Sequence, residues 1–113
     1  MKVKICGLTK SQQVKTCIDY EADFCGFILN FQKSHRFINY KIANKLTKIK
    51  KKKTKFVGVL VNPTEKEFKK FSKLNIDYFQ IYGSFSKEEL KKIRKKYKKK
   101  IIYVITVKTK KDI

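Results

Sequence analysis

Two hydrophobic periods alternate along this chain. Five short blocks of β-branched, aromatic and aliphatic residues fall at 3–6, 24–29, 56–61, 78–82 and 101–107, each of strand length. Several are continuous apolar runs, as in Phe56-Val57-Gly58-Val59-Leu60-Val61, the pattern of strands covered on both faces of a parallel sheet. Between them the spacing changes to that of helices. Ser11 is expected to cap a helix with Val14, Cys17 and Ile18 on one face, and Ile42, Ala43, Leu46 and Ile49 repeat the same 3-4 spacing after Asn39. Thr64 with Glu67 and Ser86 with Glu89 fit the capping-box pattern, ahead of the stripes Phe68/Phe71 and Leu90/Ile93/Tyr97. The expected order is β-α-β-α-β-α-β-α-β with right-handed crossovers.

Such repetition without a dinucleotide fingerprint points toward a barrel. A Rossmann fold needs G-x-G-x-x-G after the first strand, whereas the first turn here is Cys6-Gly7-Leu8-Thr9. With 113 residues and 42% hydrophobic content, one modest core is expected, hence a single domain over residues 1–113. No apolar run approaches the ~18 residues of a membrane span. The basic start enters only a four-residue apolar stretch, so no signal peptide is expected and the cytoplasm is the expected location.

Three cysteines, Cys6, Cys17 and Cys25, cannot all pair, and none forms a CxxC motif, which argues against a disulfide framework. His35 is the only imidazole, so no metal site is expected. The net charge of +21 invites a nucleic-acid reading, yet of the 30 basic residues only Arg36 and Arg94 are arginines. Lysine excess of this kind is what an AT-rich genome writes onto solvated faces, and no nucleic-acid module accompanies it, so any such binding is expected to be non-specific and electrostatic. Residues 50–53, all lysine, are expected to form the dipole-favoured C-terminus of the second helix.

The strand ends are more specific. Lys4-Ile5-Cys6-Gly7-Leu8-Thr9, Gly26-Phe27-Ile28, Lys33-Ser34-His35-Arg36, Val57-Gly58-Val59 through Val61-Asn62-Pro63, and Gln80-Ile81-Tyr82-Gly83 occur in order, at spacings of successive βα units. Together they resemble the phosphoribosylanthranilate isomerase family over essentially the whole chain. The resemblance implies an α/β fold of the (β/α)8 TIM-barrel type, here truncated to about the first five βα units with a parallel sheet. It also implies an Amadori rearrangement of N-(5-phosphoribosyl)anthranilate to a 1-deoxyribulose 5-phosphate product in tryptophan biosynthesis, with a phosphorylated small molecule as substrate and no cofactor. By the same resemblance Cys6 is the general base that removes the C2 proton, and Arg36 faces the anthranilate carboxylate.

Residue chemistry agrees with both placements. Strand alternation puts Lys4 on the face of Cys6, roughly 7 Å behind the sulfur at about 3.3 Å per residue, where a supporting cation favours thiolate. A thiol at the C-terminal end of a barrel strand, lowered from about 8.5, suits a general base. Arg36 offers a planar fork that matches a carboxylate. Cys17 and Cys25 are expected in the core, and Asp23 either serves the site or ends a helix. Tyr82 stands where the family usually has histidine and His35 where it commonly has proline or lysine, so both loops are expected to differ. A full barrel needs ~200 residues or more. The family's general acid after strand six and its phosphate loops after strands seven and eight have no counterpart here, so the chain alone is expected to be inactive. Open edges on the first and fifth strands are expected to favour self-association or pairing with a C-terminal half-barrel. The contrasting possibility is a non-catalytic basic half-barrel that binds nucleic acid or a partner protein.

Overall fold

Parallel pairing runs through one five-stranded sheet whose strand order follows the sequence. The structure, a computed structural model, describes residues 2–105. Its elements are β1 (Lys4–Cys6), α1 (Ser11–Asp19), β2 (Phe24–Ile28), α2 (Tyr40–Thr47), β3 (Lys55–Val61), α3 (Glu65–Phe71), β4 (Tyr78–Tyr82), α4 (Lys87–Tyr97) and β5 (Lys100–Val104). All five expected strands are present. Thr106 and Val107, the end of the fifth expected block, lie outside the described residues.

Register assigns the two faces of the sheet. Cys6 pairs with Gly26, Gly26 with Val57, and Val57 with Tyr78, so these side chains share one face. Cys25, Phe27, Phe56, Leu60, Phe79 and Ile81 alternate with them and join Val14, Ile18, Ala43, Leu46, Phe68, Phe71 and Ile93 from the helices in the buried core. Edge-on ring contacts of 5.4 Å between Phe27 and Phe56, and a tilted contact of 5.5 Å between Phe68 and Phe79, lie on this helix-covered side. The opposite face is concave. Phe24 on β2 and Tyr78 on β4 meet with centroids 5.4 Å apart although β3 lies between them, and Val57 beneath them is wholly buried. A right-twisted parallel sheet that curls this way has the curvature of a barrel wall.

Caps set the helix starts. Thr64 Oγ1 accepts from the Glu67 amide at 3.2 Å while Glu67 Oε1 accepts from the Thr64 amide at 3.0 Å, and Ser86 with Glu89 repeats the arrangement. Asn39 Oδ1 accepts from the Ile42 amide at 2.9 Å. The first helix differs from expectation, because Lys10 is its extended N-cap residue and Ser11 is already helical. A lysine has no acceptor to offer, so Gln13 Oε1 turns back to accept from the amides of Thr9 at 3.0 Å and Lys10 at 3.1 Å.

The lysine run at 50–53 is also placed differently. The helix α2 stops at Thr47, and the run lies in the following loop, where Lys51 Nζ pairs with Asp77 at 2.8 Å and sits 5.1 Å over the Phe56 ring. Asp77 Oδ2 also accepts from the Phe56 amide at 2.9 Å, and Asp23 Oδ2 accepts from the Val3 amide at 2.7 Å. Each aspartate immediately precedes a strand and fastens the start of the strand before it. Asp23 therefore neither ends α1 nor reaches the opposite, C-terminal edge of the sheet.

Candidate active site

The C-terminal ends of the strands carry the candidate residues, and β1 delivers the first. After Cys6 the chain turns through Gly7 at φ +82°, and the Gly7 and Leu8 amides both donate to the Gly26 carbonyl, at 2.9 and 3.2 Å. Leu8 is buried and anchors the turn, which leaves Cys6 exposed as a free thiol on the concave face. Gly26 makes room beside it, since a Cβ there would stand 3.1 Å from Cys6 Sγ. Lys4 is half-buried on the same face. Burial lowers the Lys4 ammonium from its ordinary range, and the negative charge of a Cys6 thiolate acts in the opposite direction.

The loop between β2 and α2 carries Arg36 and is tied at both ends. Ser34 Oγ accepts from the Arg36 amide at 3.1 Å, and the amide of buried Ile38 donates to the Ile28 carbonyl at 3.1 Å. The arginine then leans across the β1 turn. Its Nη1 donates to the Cys6 carbonyl at 3.5 Å, and its stem lies so close above Gly7 that a Cβ at that glycine would fall 2.3 Å from Arg36 Cδ. Two residues 30 positions apart in sequence are thereby brought together, with the guanidinium exposed beside the thiol strand. His35, the preceding residue, is exposed.

Polar side chains brace the ends of β3 and β4. Asn30 brackets Val61, with Oδ1 accepting from its amide at 2.7 Å and Nδ2 donating to its carbonyl at 3.0 Å. The Asn62 amide donates to the Tyr82 carbonyl at 2.7 Å, and Tyr103 Oη donates to the Gly83 carbonyl at 2.7 Å. Tyr82 is half-buried on the concave face, where Gln80 Nε2 donates to its hydroxyl at 3.1 Å. Sequence patterning missed Asn30, Gln80 and the role of Gly7. A glutamine inside the apolar run Phe79-Gln80-Ile81 was the available signal for the second.

The other two cysteines belong to the helix side. Cys25 is fully buried, and burial first, then the neighbouring Cys17 sulfur, pushes its thiol up to about 12. Cys17 is only half-buried against the core, contrary to expectation, because α1 covers an edge strand and its flank is open. The chemistry of the concave end is thus an accessible thiol with a cation behind it, an arginine fork beside it and a phenol held by a buried amide.

A parallel, curled β-α sheet with its functional groups at the carboxyl ends of the strands defines the class of (β/α)-barrel proteins. Comparison with known proteins narrows this class. The family profile for N-(5'phosphoribosyl)anthranilate (PRA) isomerase matches residues 3–112, and the chain belongs to that family. It is 39% identical over 88 residues to the N-(5'-phosphoribosyl)anthranilate isomerase of Streptococcus mutans, an alignment covering 77% of this chain and 45% of the relative. A monomeric form of the dimeric isomerase of Thermotoga maritima superposes with a TM-score of 0.86 at 26% identity, over 99% of this chain and 56% of that one. An isomerase in complex with reduced 1-(o-carboxyphenylamino)-1-deoxyribulose 5-phosphate superposes with a TM-score of 0.84 at 27% identity, over 99% and 57%. The chain spans about half the length of the curated relatives it matches. Among the described residues no helix is long and apolar enough to cross a membrane.

Proposed function

We propose that this chain contributes the base and the carboxylate contact of a phosphoribosylanthranilate isomerase. The observation that carries the proposal is the Arg36 guanidinium folded over Gly7 onto the Cys6 carbonyl. In the Amadori step the substrate's ring oxygen takes a proton as the C1–O bond opens, leaving an iminium between C1 and the anthranilate nitrogen. The Cys6 thiolate then removes the C2 proton, and the electron pair flows into the C1–N iminium to give an enolamine that tautomerises to the 2-ketone. C1 is reduced while C2 is oxidised within one molecule, so the step needs no external hydride carrier. Lys4 supports the thiolate, and the Arg36 fork receives the anthranilate carboxylate.

The acid that opens the ring and the groups that hold the phosphate are assigned to a complementary set of strands paired along the β1 and β5 edges. Of the carboxylates in the first turns of α3 and α4, at the same end of the sheet, Glu67 and Glu89 are engaged as helix caps, Glu65 pairs with Lys96 at 2.7 Å and Glu88 stands exposed in solvent. By itself the 113-residue chain should therefore turn over no substrate. We place the chemistry in the cytoplasm, where three free thiols persist. The lysine excess confers only salt-sensitive, sequence-independent attraction to nucleic acid.

Complementation tests the assignment. Mixed with or fused to the segment of the Thermotoga maritima relative that follows the matched region, the chain should gain isomerase turnover. In that assembly Cys6→Ala should abolish turnover, whereas Arg36→Lys should raise KM more than it lowers kcat. A folded but inactive hybrid, or undiminished turnover after Cys6→Ala, refutes the assignment.

A further inference from the structure

Carboxylates are unevenly spread over this basic chain. Between Asp23 and Glu65 there is neither an aspartate nor a glutamate, so α2 carries no acid, and the two acids of α3 are engaged elsewhere. Glu65 pairs with Lys96 of α4 at 2.7 Å, while Glu67 closes the cap on Thr64 and accepts from Asn30 Nδ2 at 3.3 Å. The flank of α3 that faces α2 is left to cations. Lys66, Lys69, Lys70 and Lys73 line an open groove there together with Tyr40, the first residue of α2. All four lysines are exposed, and among the described residues none of them stands within ion-pair distance of a carboxylate. Lys70 is held in place, with Nζ 5.3 Å over the Tyr40 ring and 5.5 Å over the Phe71 ring.

Helical spacing sets the four ammonium groups on one stripe about 10 Å long. Like charges three and four residues apart repel, and Lys66 in the first turn of α3 also opposes the helix dipole. An anion lying along the stripe relieves both costs. One nucleic acid strand carries about one phosphate per 3.4 Å, so about three phosphates span the stripe. A protein partner fits less well, because lysine is depleted from protein interfaces and the one aromatic ring in the groove already has Lys70 over it. Lysines are point charges without a fork to read bases. We propose that the α2–α3 groove is a docking site for the sugar-phosphate backbone of a nucleic acid strand, bound without regard to sequence. It lies on the helix-covered side of the sheet, apart from the concave-face thiol, and requires nothing of the isomerase assignment.

The test measures fluorescence anisotropy of a labelled oligothymidylate of about 12 nucleotides with the 113-residue chain, from about 50 to 200 mM salt. One variant combines Lys66→Gln, Lys69→Gln, Lys70→Gln and Lys73→Gln. A control combines Lys87→Gln, Lys91→Gln, Lys92→Gln and Lys95→Gln, which removes the same charge from α4, a helix that also carries Glu88 and Glu89. The groove variant should bind about tenfold more weakly at the lowest salt, and its salt slope should fall by about 2, the sum of about three single-strand contacts at about 0.7 each. The control should keep its slope. Nitrogen-15 spectra of the wild-type chain supply a readout that needs no variant: amides at 40–45 and 66–73 should shift with oligothymidylate while those at 87–97 stay still. Equal losses in both variants, an unchanged slope in the groove variant, or shifts spread evenly over every lysine-bearing element would reduce the binding to net charge and overturn the groove. Tripolyphosphate or an oligoglutamate binding the groove as tightly as the oligothymidylate would make it a small-anion or acidic-protein site, and would overturn the nucleic-acid assignment.

Discussion

Replacing Gly7 by alanine tests how the two halves of the candidate site are joined. An L-residue at φ +82° pays about 1–2 kcal/mol for the left-handed backbone, and the stiffer unfolded chain returns about 0.5 kcal/mol of that. The new methyl would also stand 2.3 Å from Arg36 Cδ and 3.2 Å from its Cβ, so the arginine must leave its seat and give up its bond to the Cys6 carbonyl. Loss of that seat adds about 0.5–1 kcal/mol, the scale of a coupling between residues in contact. The total, about 1–2.5 kcal/mol, corresponds to a thermal midpoint roughly 4–10 °C lower for a domain of this size. Urea denaturation of Gly7→Ala, Arg36→Ala and the double variant closes the cycle. With Arg36 already truncated, Gly7→Ala should cost only the backbone part, about 1 kcal/mol, so the double variant should be more stable than additivity requires. Additive costs would show that the arginine stem does not rest on Gly7. An unchanged midpoint in Gly7→Ala would show that the turn does not need the left-handed conformation.

Two further outcomes follow from the cysteines. Alkylation by iodoacetamide near neutral pH should modify exposed Cys6 first, half-buried Cys17 next and buried Cys25 last, and Lys4→Met should slow the Cys6 reaction by removing the cation on its face; mass spectrometry showing equal rates would contradict this. Because the Cys25 thiol is pushed up from 9.0 to about 12, the unfolded chain releases a proton above pH 9 that the fold retains. Its contribution is intact below pH 9 and is lost progressively toward pH 12, on the order of 1.4 kcal/mol by pH 10. The stability difference between wild type and Cys25→Ala, measured by urea at pH 8 and pH 10, should therefore shrink at the higher pH, and a pH-independent difference refutes the sign.

Strands and most caps were legible because each rests on a local signal: an apolar run for β3, Thr64 with Glu67 for α3, Ser86 with Glu89 for α4. The start of α1 was not, because Lys10 rather than Ser11 is the N-cap residue, and Gln13 turns back from within the helix to hold the amides of Thr9 and Lys10 just ahead of it. Lysines 50–53 misled for a related reason. Helix dipole and tertiary ion pair both favour a cation there, and the bond from Lys51 to Asp77, 26 residues distant, is invisible to any local pattern. In the site, Cys6 and Arg36 were legible as a motif. The contact between them was not, since it depends on the absence of a side chain at Gly7, and a missing atom leaves no periodic trace. Gln80 stood out only as a polar residue in an apolar run, and the lack of a hydrogen-bond partner for its buried side-chain oxygen follows from the register that sets Val59 and Ile102 beside it.

The strand order has a consequence for how the molecule comes into being. Each strand pairs with the one synthesised just before it, and both aspartate clamps reach backwards, Asp23 to Val3 and Asp77 to Phe56. As the nascent chain leaves the ribosome, every new β-α unit finds its docking edge already formed and needs nothing that has yet to be translated. The sheet can therefore grow vectorially, one unit at a time, each step closing a single crossover between neighbouring strands, 20 residues from Cys6 to Gly26 and 31 from Ile28 to Val59.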